Sequence, residues 1–445
     1  MVHEKDILIK PVCRAKGGIH PPHNKKSANC ATKKIPLPAE IFVPMRQHIG
    51  APCTALVQAG DKVFVGQKIG DCENNFSAPI HSSVSGTVKE VKNLPLYNGQ
   101  PVETIVIVPD GEQTDYEGLH PVTVNSPEDL IAAAKNCGLV GLGGAGFPTH
   151  IKLTPNQDTP IDTILINAAE CEPHITSDYR ACMEDGDLIM QGIETLLRVL
   201  DVKQIIVGIE DNKPKAIEKL VSIAKNTNDP RIKIMKLPSH YPHGAEKVLV
   251  QVATGRRVPP GKLPAHVGCG VMNITSLAVL QHYINTGMPL TRRRLTVDGP
   301  AVKEAVNLWV PVGTPISHVA EQVKMKAQPT KILMGGPMMG IAQVNPNTPV
   351  VKQNNAILFF DKKHDLSDKK QGPCIRCGRC ASACPMSLMP TLIERFAKIN
   401  DLENLRRVGV GVCMECGSCA YSCPANRPLV QYMRLAKEIE RKDRG

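Results

Sequence analysis

Cys374-Ile-Arg-Cys377-Gly-Arg-Cys380-Ala-Ser-Ala-Cys384-Pro385 and Cys413-Met-Glu-Cys416-Gly-Ser-Cys419-Ala-Tyr-Ser-Cys423-Pro424 are two copies of one pattern, holding half of the chain's 16 cysteines. Two residues between successive cysteines let a tight turn present three sulfurs to one side. Gly378 and Gly417 allow that turn to close without a side-chain clash. The fourth cysteine stands before a proline, which turns the chain away. A cubane [4Fe–4S] cluster needs four such thiolates converging from different directions. Zinc also accepts Cys-x-x-Cys pairs, but the tripled spacing is unusual for it.

The pattern is of ferredoxin type and predicts two [4Fe–4S] clusters. In two-cluster ferredoxins the fourth cysteine of each run ligates the other cluster. The expected sets are therefore Cys374, Cys377, Cys380 and Cys423 for cluster 1, and Cys413, Cys416, Cys419 and Cys384 for cluster 2. One-electron transfer is the chemistry this implies. The other cysteines (Cys13, Cys30, Cys53, Cys72, Cys137, Cys171, Cys182 and Cys269) are scattered and read as free thiols, mostly small buried hydrophobes.

A chain of 445 residues suggests roughly three domains or a few more, and 42% hydrophobic content is enough for real cores. No apolar run is long enough to cross a bilayer. The start, Met1-Val-His-Glu-Lys-Asp, lacks the shape of a signal peptide. With iron–sulfur ligands, these features predict the reducing cytosol. The formal charge is +11; two oxidised clusters at roughly −2 each bring the holoprotein nearer about +7. Lys25-Lys26, Lys33-Lys34 and Arg292-Arg293-Arg294 read as a basic surface that docks on an acidic ferredoxin or an anionic membrane face. Aromatic content of 3% and the lack of a nucleic-acid motif argue against RNA or DNA.

Pattern along the chain predicts an α/β multidomain protein. Residues 1–30, with Gly17-Gly18-Ile19-His20-Pro21-Pro22-His23, read as an extended N-terminal arm. Residues 31–112 read as a β barrel-sandwich of biotinyl/lipoyl type, because short strands alternate with Gly-containing turns through Gly60, Gly66, Gly70 and Gly86. Asp71-Cys72-Glu73-Asn74-Asn75 stands where a carrier domain presents its modified lysine, so no swinging arm is expected. Residues 125–288 read as an α/β domain. Pro127 starts a helix with acidic residues in its first turn. Ile161–Asn167, Gln204–Ile209 and Ile232–Met235 are strand runs, and Lys213–Lys225 is a helix, which implies a largely parallel sheet covered on both faces. Residues 290–360 resemble a soluble-ligand-binding β-grasp module containing the tight loop Gly335–Gly340. Lys362–Gln371 is a charged linker. Residues 365–445 form the helical two-[4Fe–4S] ferredoxin-like domain, with helices from Pro390, Leu402 and Pro428.

Within the α/β stretch, Gly141-Leu-Gly143-Gly144-Ala-Gly146-Phe147-Pro148-Thr149-His-Ile-Lys152 exposes backbone N–H groups to a phosphate, and Lys152 adds a point charge. The loop lacks the Rossmann spacing and its downstream acid. Asn167-Ala-Ala-Glu170-Cys-Glu172-Pro173 follows a buried strand, at the edge where α/β proteins bind ligands. Tyr241-Pro-His-Gly244-Ala-Glu246 and Met272-Asn273 come later.

These segments, with Gly17-Gly-Ile-His-Pro-Pro, Gly335-Gly-Pro-Met-Met-Gly and both cysteine runs, resemble the flavin- and NADH-binding subunit of respiratory complex I. They are more similar to the C subunit of the Rnf complex, an ion-translocating ferredoxin:NAD⁺ oxidoreductase. The resemblance covers essentially the whole chain. It implies non-covalent FMN, NAD(H) as substrate, hydride exchange between the two, and single-electron relay through two [4Fe–4S] clusters to partner subunits. Those subunits would lie in a membrane-embedded complex, with this chain peripheral on its cytoplasmic face and ferredoxin an indirect electron partner. Carried over residue by residue, Gly141, Gly143, Gly144, Gly146 and Lys152 would face the FMN phosphate. Asn167, Glu170, Gly244 and Asn273 would line the flavin. Phe147, Glu172, Tyr241 and Glu246 would meet NAD(H). No side chain acts as acid or base in the transfer. Leu142, Ala169, Ala245 and Gly261 depart from the complex I pattern of arginine, aspartate, glutamate and phenylalanine. The alternatives are a cobalamin reductase of the same family and a non-enzymatic iron–sulfur relay with a decayed nucleotide site.

Overall fold

Apolar runs buried on both faces build the central sheet. The structure, a computed structural model, describes residues 3–96, 99–154, 159–367 and 369–443. The extreme ends of the first and last expected domains, and Asp368 of the charged linker, lie outside the described residues. Five parallel strands stand in the order Leu8–Ile9, Ile232–Leu237, Gln204–Glu210, Thr163–Ala168, Cys269–Asn273. Ile164, Ile166, Ile205, Val207, Ile232 and Ile234 point into one core with the helices Pro127–Asn136, Gly186–Val199, Pro214–Thr227 and Ile274–Thr286. Leu165, Ile206 and Met235 point the other way, onto the helix Glu246–Thr254. Side chains of period two thus fill both faces.

From Thr163–Ala168 the chain winds toward Ile232–Leu237, then returns to place Cys269–Asn273 on the opposite flank. The crevice where the order reverses, between Thr163–Ala168 and Cys269–Asn273, is the topological switch point, the usual ligand site of an open parallel sheet. Asn167 and Asn273 are register partners at its C-terminal edge. The helix Pro127–Asn136 starts on a capping box: the Asp129 N–H donates to Ser126 Oγ at 3.1 Å, and the Asp129 carboxylate accepts the Ser126 N–H at 3.0 Å.

Two further β units flank this sheet. Ile41–Pro44, Pro101–Pro109, Gly86–Pro95 and Lys62–Val63 form one small sheet, and Thr54–Ala55, Lys68–Asp71 and Ile80–His81 another; they enclose a shared core of Ile41, Val43, Ile69, Ile80, Ile105 and Ile107. A six-stranded mixed sheet follows, in the order Ile341–Gln343, Lys331–Met334, Ala356–Phe360, Arg292–Asp298, Val306–Pro311, Lys33–Lys34, with the helix Ile316–Glu321 on its core. The units are locked together by buried cations. Lys352 Nζ donates to Pro79 O at 2.5 Å and to Gly138 O at 2.8 Å, joining all three.

The two cysteine runs fold alike. Arg376 and Glu415 share a positive φ (56° and 58°), as do Gly378 and Gly417 (76° and 78°). Each glycine opens a short helix, Arg379–Ser382 or Ser418–Tyr421, and each run is followed by a longer one, Pro390–Lys398 or Leu429–Asp443. This internal repeat packs its helices around Leu388, Ile393, Leu405 and Met433.

Three expectations need correction. The N-terminal arm is not merely extended, because Leu8–Ile9 adds an edge strand to the parallel sheet and Ile19 bridges to Tyr241. Lys33–Lys34 pairs with Val306–Pro311 rather than with the barrel-sandwich strands. Arg293 and Arg294 are not a docking surface: they are 2% and 1% exposed. Arg294 binds Asp185 at 2.8 Å and Glu184 at 3.0 Å, with its guanidinium 4.3 Å from the Trp309 ring centre. A guanidinium is buried at low cost when it is paired and stacked in this way. Among the scattered cysteines, Cys53, Cys137, Cys182 and Cys269 are buried and the other four half-buried. No helix of the described residues is long and apolar enough to cross a membrane.

Candidate functional site

A cavity of about 460 Å³ opens at the switch point, walled by the Gly141–Phe147 loop, Asn167, Glu170, Asn273, Gly244 and Glu246. The glycine loop is closed at its base by Gly141 N–H to Phe147 O at 2.8 Å and by a bridge between Val140 and Pro148. Gly143 and Gly146 have φ of 79° and 71°, the left-handed region that favours glycine. A Cβ added to Gly144 meets nothing within 4 Å, so this residue presents bare backbone to open space at the cavity. Lys152 lines the same cavity and pairs with Glu246 at 3.0 Å.

The asparagines shape the wall. Asn167 donates to Gly244 O at 2.7 Å and accepts the Ala169 N–H at 3.1 Å. Asn273 caps the helix Ile274–Thr286, accepting N–H groups of Thr275 and Ser276 at 2.8 and 3.1 Å, while its amide donates to Asp178 at 2.8 Å. Asp178 also lines the cavity and also accepts the Thr275 hydroxyl, at 2.6 Å. Sequence reasoning missed it, since nothing local marks an aspartate in a helix's first turn as more than a dipole partner.

Glu170 sits at φ 45°, and its carboxylate accepts the Asp178 and Tyr179 N–H groups at 2.6 and 3.1 Å, at the start of the helix Ser177–Glu184. Burial pushes its pKa up to about 7, opposed by the nearby Lys25 ammonium. Lys25, expected on a basic surface, instead donates to the carbonyls of Glu170, Glu172 and Ile175 at 2.8, 2.8 and 2.6 Å. Burial draws it down to about 8. Lys25→Met would strand those three carbonyls and Glu170; we expect a loss of roughly 3 kcal/mol, read as a lower denaturation midpoint. An unchanged midpoint would show that the cation does not hold this loop.

Glu172 and Tyr241, expected to meet NAD(H), both line the cavity, and their polar atoms are also bonded to neighbouring segments. The Glu172 carboxylate accepts the N–H groups of Met338 and Met339 at 3.0 and 2.9 Å, tying the cavity wall to the Gly335–Gly340 loop; burial pushes its pKa up to about 7. Tyr241 is only 2% exposed, and its hydroxyl donates to Cys416 O at 2.6 Å. It packs with Ile19, Ala383 and Cys416 between the cavity and the cysteine runs. Burial holds the phenol protonated. Phe147 does line the cavity, and its ring meets Phe76 at 5.3 Å.

A second, smaller cavity is lined by Cys384, Cys413, Cys416 and Cys419, with Met386, Leu388, Val430 and Met433. This gathers the four cysteines expected for cluster 2 around one space in an apolar shell. No three described His, Cys, Asp or Glu side chains stand close enough to hold a single ion. Thiolates spread around a cavity suit a cubane better than one tetrahedral zinc, whose sulfurs all lie about 2.3 Å from the metal. In the other set, Cys374 and Cys377 are exposed while Cys380 is buried. Cys374 and Cys423 both act electrostatically on Cys380 and Arg427, so they share one locality. Met414, between two cluster-2 cysteines, lines both the small cavity and the large one.

The large cavity fits FMN: bare loop backbone and a lysine suit a phosphate, and the amide-bearing walls suit a planar heterocycle. Comparison with known proteins agrees. Family models match for the Nuo51 FMN-binding domain over residues 134–282, the RnfC barrel sandwich hybrid domain over 13–112, and a 4Fe-4S dicluster domain over 367–424. FMN and two [4Fe–4S] clusters are therefore its cofactors. The C subunit of the proton-translocating ferredoxin:NAD(+) oxidoreductase complex of Clostridium ljungdahlii is 41% identical over 385 residues, 85% of this chain and 83% of that one. The Na(+)-translocating counterpart of Acetobacterium woodii is 40% identical over 433 residues, 95% and 96% of the two chains. The solved structure of an NAD+-reducing [NiFe]-hydrogenase in the air-oxidized state superimposes with a TM-score of 0.52 at 18% identity, covering 71% of this chain and 64% of that one, a likeness of fold. The motifs, the switch-point cavity and these relatives together show that the chain belongs to the family of C subunits of ion-translocating ferredoxin:NAD(+) oxidoreductase (Rnf) complexes.

Proposed function

We propose that this chain is the NAD(H)-reactive electron-transfer subunit of a membrane-associated Rnf-type complex, peripheral on the cytoplasmic face and serving ferredoxin indirectly through partner subunits. Bound FMN supplies exchange between a hydride and single electrons, and the clusters supply single-electron transfer. The chain's own residues bind, orient and exclude water. The glycine loop and Lys152 hold the phosphate end. Asn167 and Asn273, fixed by their hydrogen bonds, orient the ring. Tyr241 and Ile19 close the passage between cavity and clusters to solvent.

The observation that carries this reading is the shared wall at Met414. It supports a position for cluster 2 next to the flavin cavity, and the exposure of Cys374 and Cys377 supports one for cluster 1 at the outer end, within reach of a partner. The same reading divides the chain into an arm, a barrel-sandwich, the FMN/NAD(H) domain, a β-grasp-like domain and the ferredoxin-like domain. Separate hydrophobic cores support it.

Anaerobic addition of NADH to the holoprotein should bleach flavin and cluster absorbance, and acid should release free FMN. Clusters without flavin, even after FMN is supplied, would point to a simple relay and sink the proposal. Glu246 is a carboxylate expected to meet the dinucleotide, and it pairs with Lys152 on the phosphate side. Glu246→Ala should slow reduction by NADH about tenfold, the loss of one charge-assisted hydrogen bond, with both clusters assembled. Unchanged kinetics would count against this pocket.

A further inference from the structure

The two cysteine runs share one backbone but not one environment. Residues 413–418 of the second run are all buried or half-buried, whereas residues 374–379 of the first are all exposed. The covered copy shows what packs on this turn. Met414 lines the flavin cavity, Cys416 O accepts the Tyr241 hydroxyl, and a Cβ added to Gly417 would come within 2.9 Å of Met338 O. Glu415 is held by Arg434 and Lys437 at 3.0 and 2.8 Å. On the bare copy, a Cβ added to Gly378 has no neighbour within 4 Å, and Ile375, the counterpart of Met414, is 64% exposed.

The copies also differ in charge. Arg376 stands where the covered run has Glu415, and Arg379 where it has Ser418. Both arginines are exposed, and neither makes an ion pair among the described residues. Lys369 and Lys370, exposed as well, precede Gly372, whose N–H is anchored on Ala425 O at 2.9 Å. A surface groove of about 490 Å³ runs beside the turn between Gly18, Cys377, Arg379 and Tyr421, and Tyr421 is 52% exposed. Exposed Ile and Tyr inside a rim of unpaired basic groups have the composition of a protein interface rather than of a solvated face.

We propose that Ile375, Arg376, Arg379 and Tyr421 form the docking face for an electron-carrier protein whose own cofactor is ringed by carboxylates, seated on the first cysteine run as the flavin domain is seated on the second. The inference rests on the functional reading above, and gives its partner a surface and a charge. The internal repeat argues for a protein occupant, because the equivalent turn is already covered by folded chain through Tyr241 and Met338. The two arginines argue for an acidic one. Guanidiniums bind carboxylates in a fixed geometry and steer their approach, and such association is fast and weakens with salt. Gly378 leaves room for the partner's backbone to come as near its turn as Met338 comes to Gly417. In each encounter one electron crosses the face: the partner's cofactor and cluster 1 change oxidation state by one in opposite senses, and no bond or proton moves.

The test compares two one-electron reductants on the FMN- and cluster-loaded full chain: a reduced acidic [2Fe–2S] ferredoxin as probe, and the reduced methyl viologen cation. Arg376→Glu with Arg379→Glu should slow cluster reduction by the ferredoxin roughly tenfold. It should leave the viologen as fast or faster, with iron content and the bleaching of flavin by NADH as in wild type. Added salt should slow the ferredoxin on the wild type and not on this variant, and Arg376→Lys with Arg379→Lys should keep most of the rate. If glutamates inside the run cost cluster 1, Lys369→Glu with Lys370→Glu places the same charges outside it, and the same comparison applies. Equal slowing of both reductants, no effect on the ferredoxin, or a wild-type chain that the viologen reduces and the ferredoxin does not would overturn the face while leaving the functional reading in place. So would wild-type binding to phosphatidylglycerol vesicles that the glutamates abolish while the ferredoxin rate is kept, which would assign the face to a membrane. A wild-type holoprotein whose flavin NADH does not bleach would overturn the functional reading, and the ferredoxin comparison would then decide the face by itself.

Discussion

Serine at Cys384 is expected to abolish cluster 2, not the cluster whose sequence run Cys384 belongs to. The residue closes the first run, but it faces the cavity built by Cys413, Cys416 and Cys419. Its sulfur accepts the Leu388 N–H at 3.3 Å, and Cys413 accepts the Glu415 N–H at 3.4 Å. Backbone donors of this kind stabilise the charge of a cluster and fix the direction in which each thiolate points. Iron and labile sulfide should fall by about half, and one reduced-cluster EPR signal should disappear while the other remains. Because cluster 2 shares Met414 with the flavin cavity, the consequence goes beyond stoichiometry. NADH should still bleach the flavin, while the surviving cluster stays oxidised on the timescale of turnover. Cys423→Ser is the complement: it should remove the outer cluster and leave the inner one reducible by NADH. If Cys384→Ser spares cluster 2 and removes the cluster of Cys374, Cys377 and Cys380, both the crossed ligand assignment and the inner-to-outer order are wrong.

The shared turn of the two cysteine runs was legible in the sequence because it depends on spacing. Two runs with the same intervals must fold into the same turn, and the matching φ values at Arg376 and Glu415 show that they do. The parallel sheet was legible for a similar reason: continuous β-branched runs have few other solutions. The first strand was not. Leu8–Ile9 is two residues long, too short to show a period, and it exists only because Ile232–Leu237 offers an edge. Charge was the least reliable guide. Lys25, Lys352, Arg293 and Arg294 look in sequence like any solvated basic residue, yet each binds buried carbonyl or carboxylate groups from a distant segment. Such partners are long-range in sequence and leave no local trace. The same holds at the site. The glycine loop, Asn167, Asn273 and Glu246 were placed at the cavity by motif. That Tyr241 also bonds to Cys416 O, and Glu172 to the Met338 and Met339 N–H groups, required knowing what packs behind them.

Gly144→Leu should produce a chain that assembles both clusters and binds no flavin. A Cβ on Gly144 has no neighbour within 4 Å, and the residue does not need a positive φ, so a larger side chain meets neither backbone strain nor a clash in the folded apoprotein. It would instead project from the loop into the space that the cofactor's phosphate end is expected to occupy. Gly143 is a poorer site for the experiment: its φ of 79° would strain any side chain, and its Cβ would come within 3.3 Å of Asn355 Nδ2. With Gly144→Leu, a loss of flavin is therefore attributable to occupied volume. The thermal transition should stay within a few degrees of wild-type apoprotein, as for surface substitutions generally. Iron content should be unchanged, and FMN should neither copurify nor rebind when added in excess. Gly144→Ala, adding one methyl to the same space, should weaken FMN retention by a smaller factor. Dithionite should still reduce the clusters of the leucine variant while NADH should not, separating entry through the flavin from the capacity of the relay. Retention of stoichiometric FMN by the leucine variant would mean that the phosphate lies away from this loop.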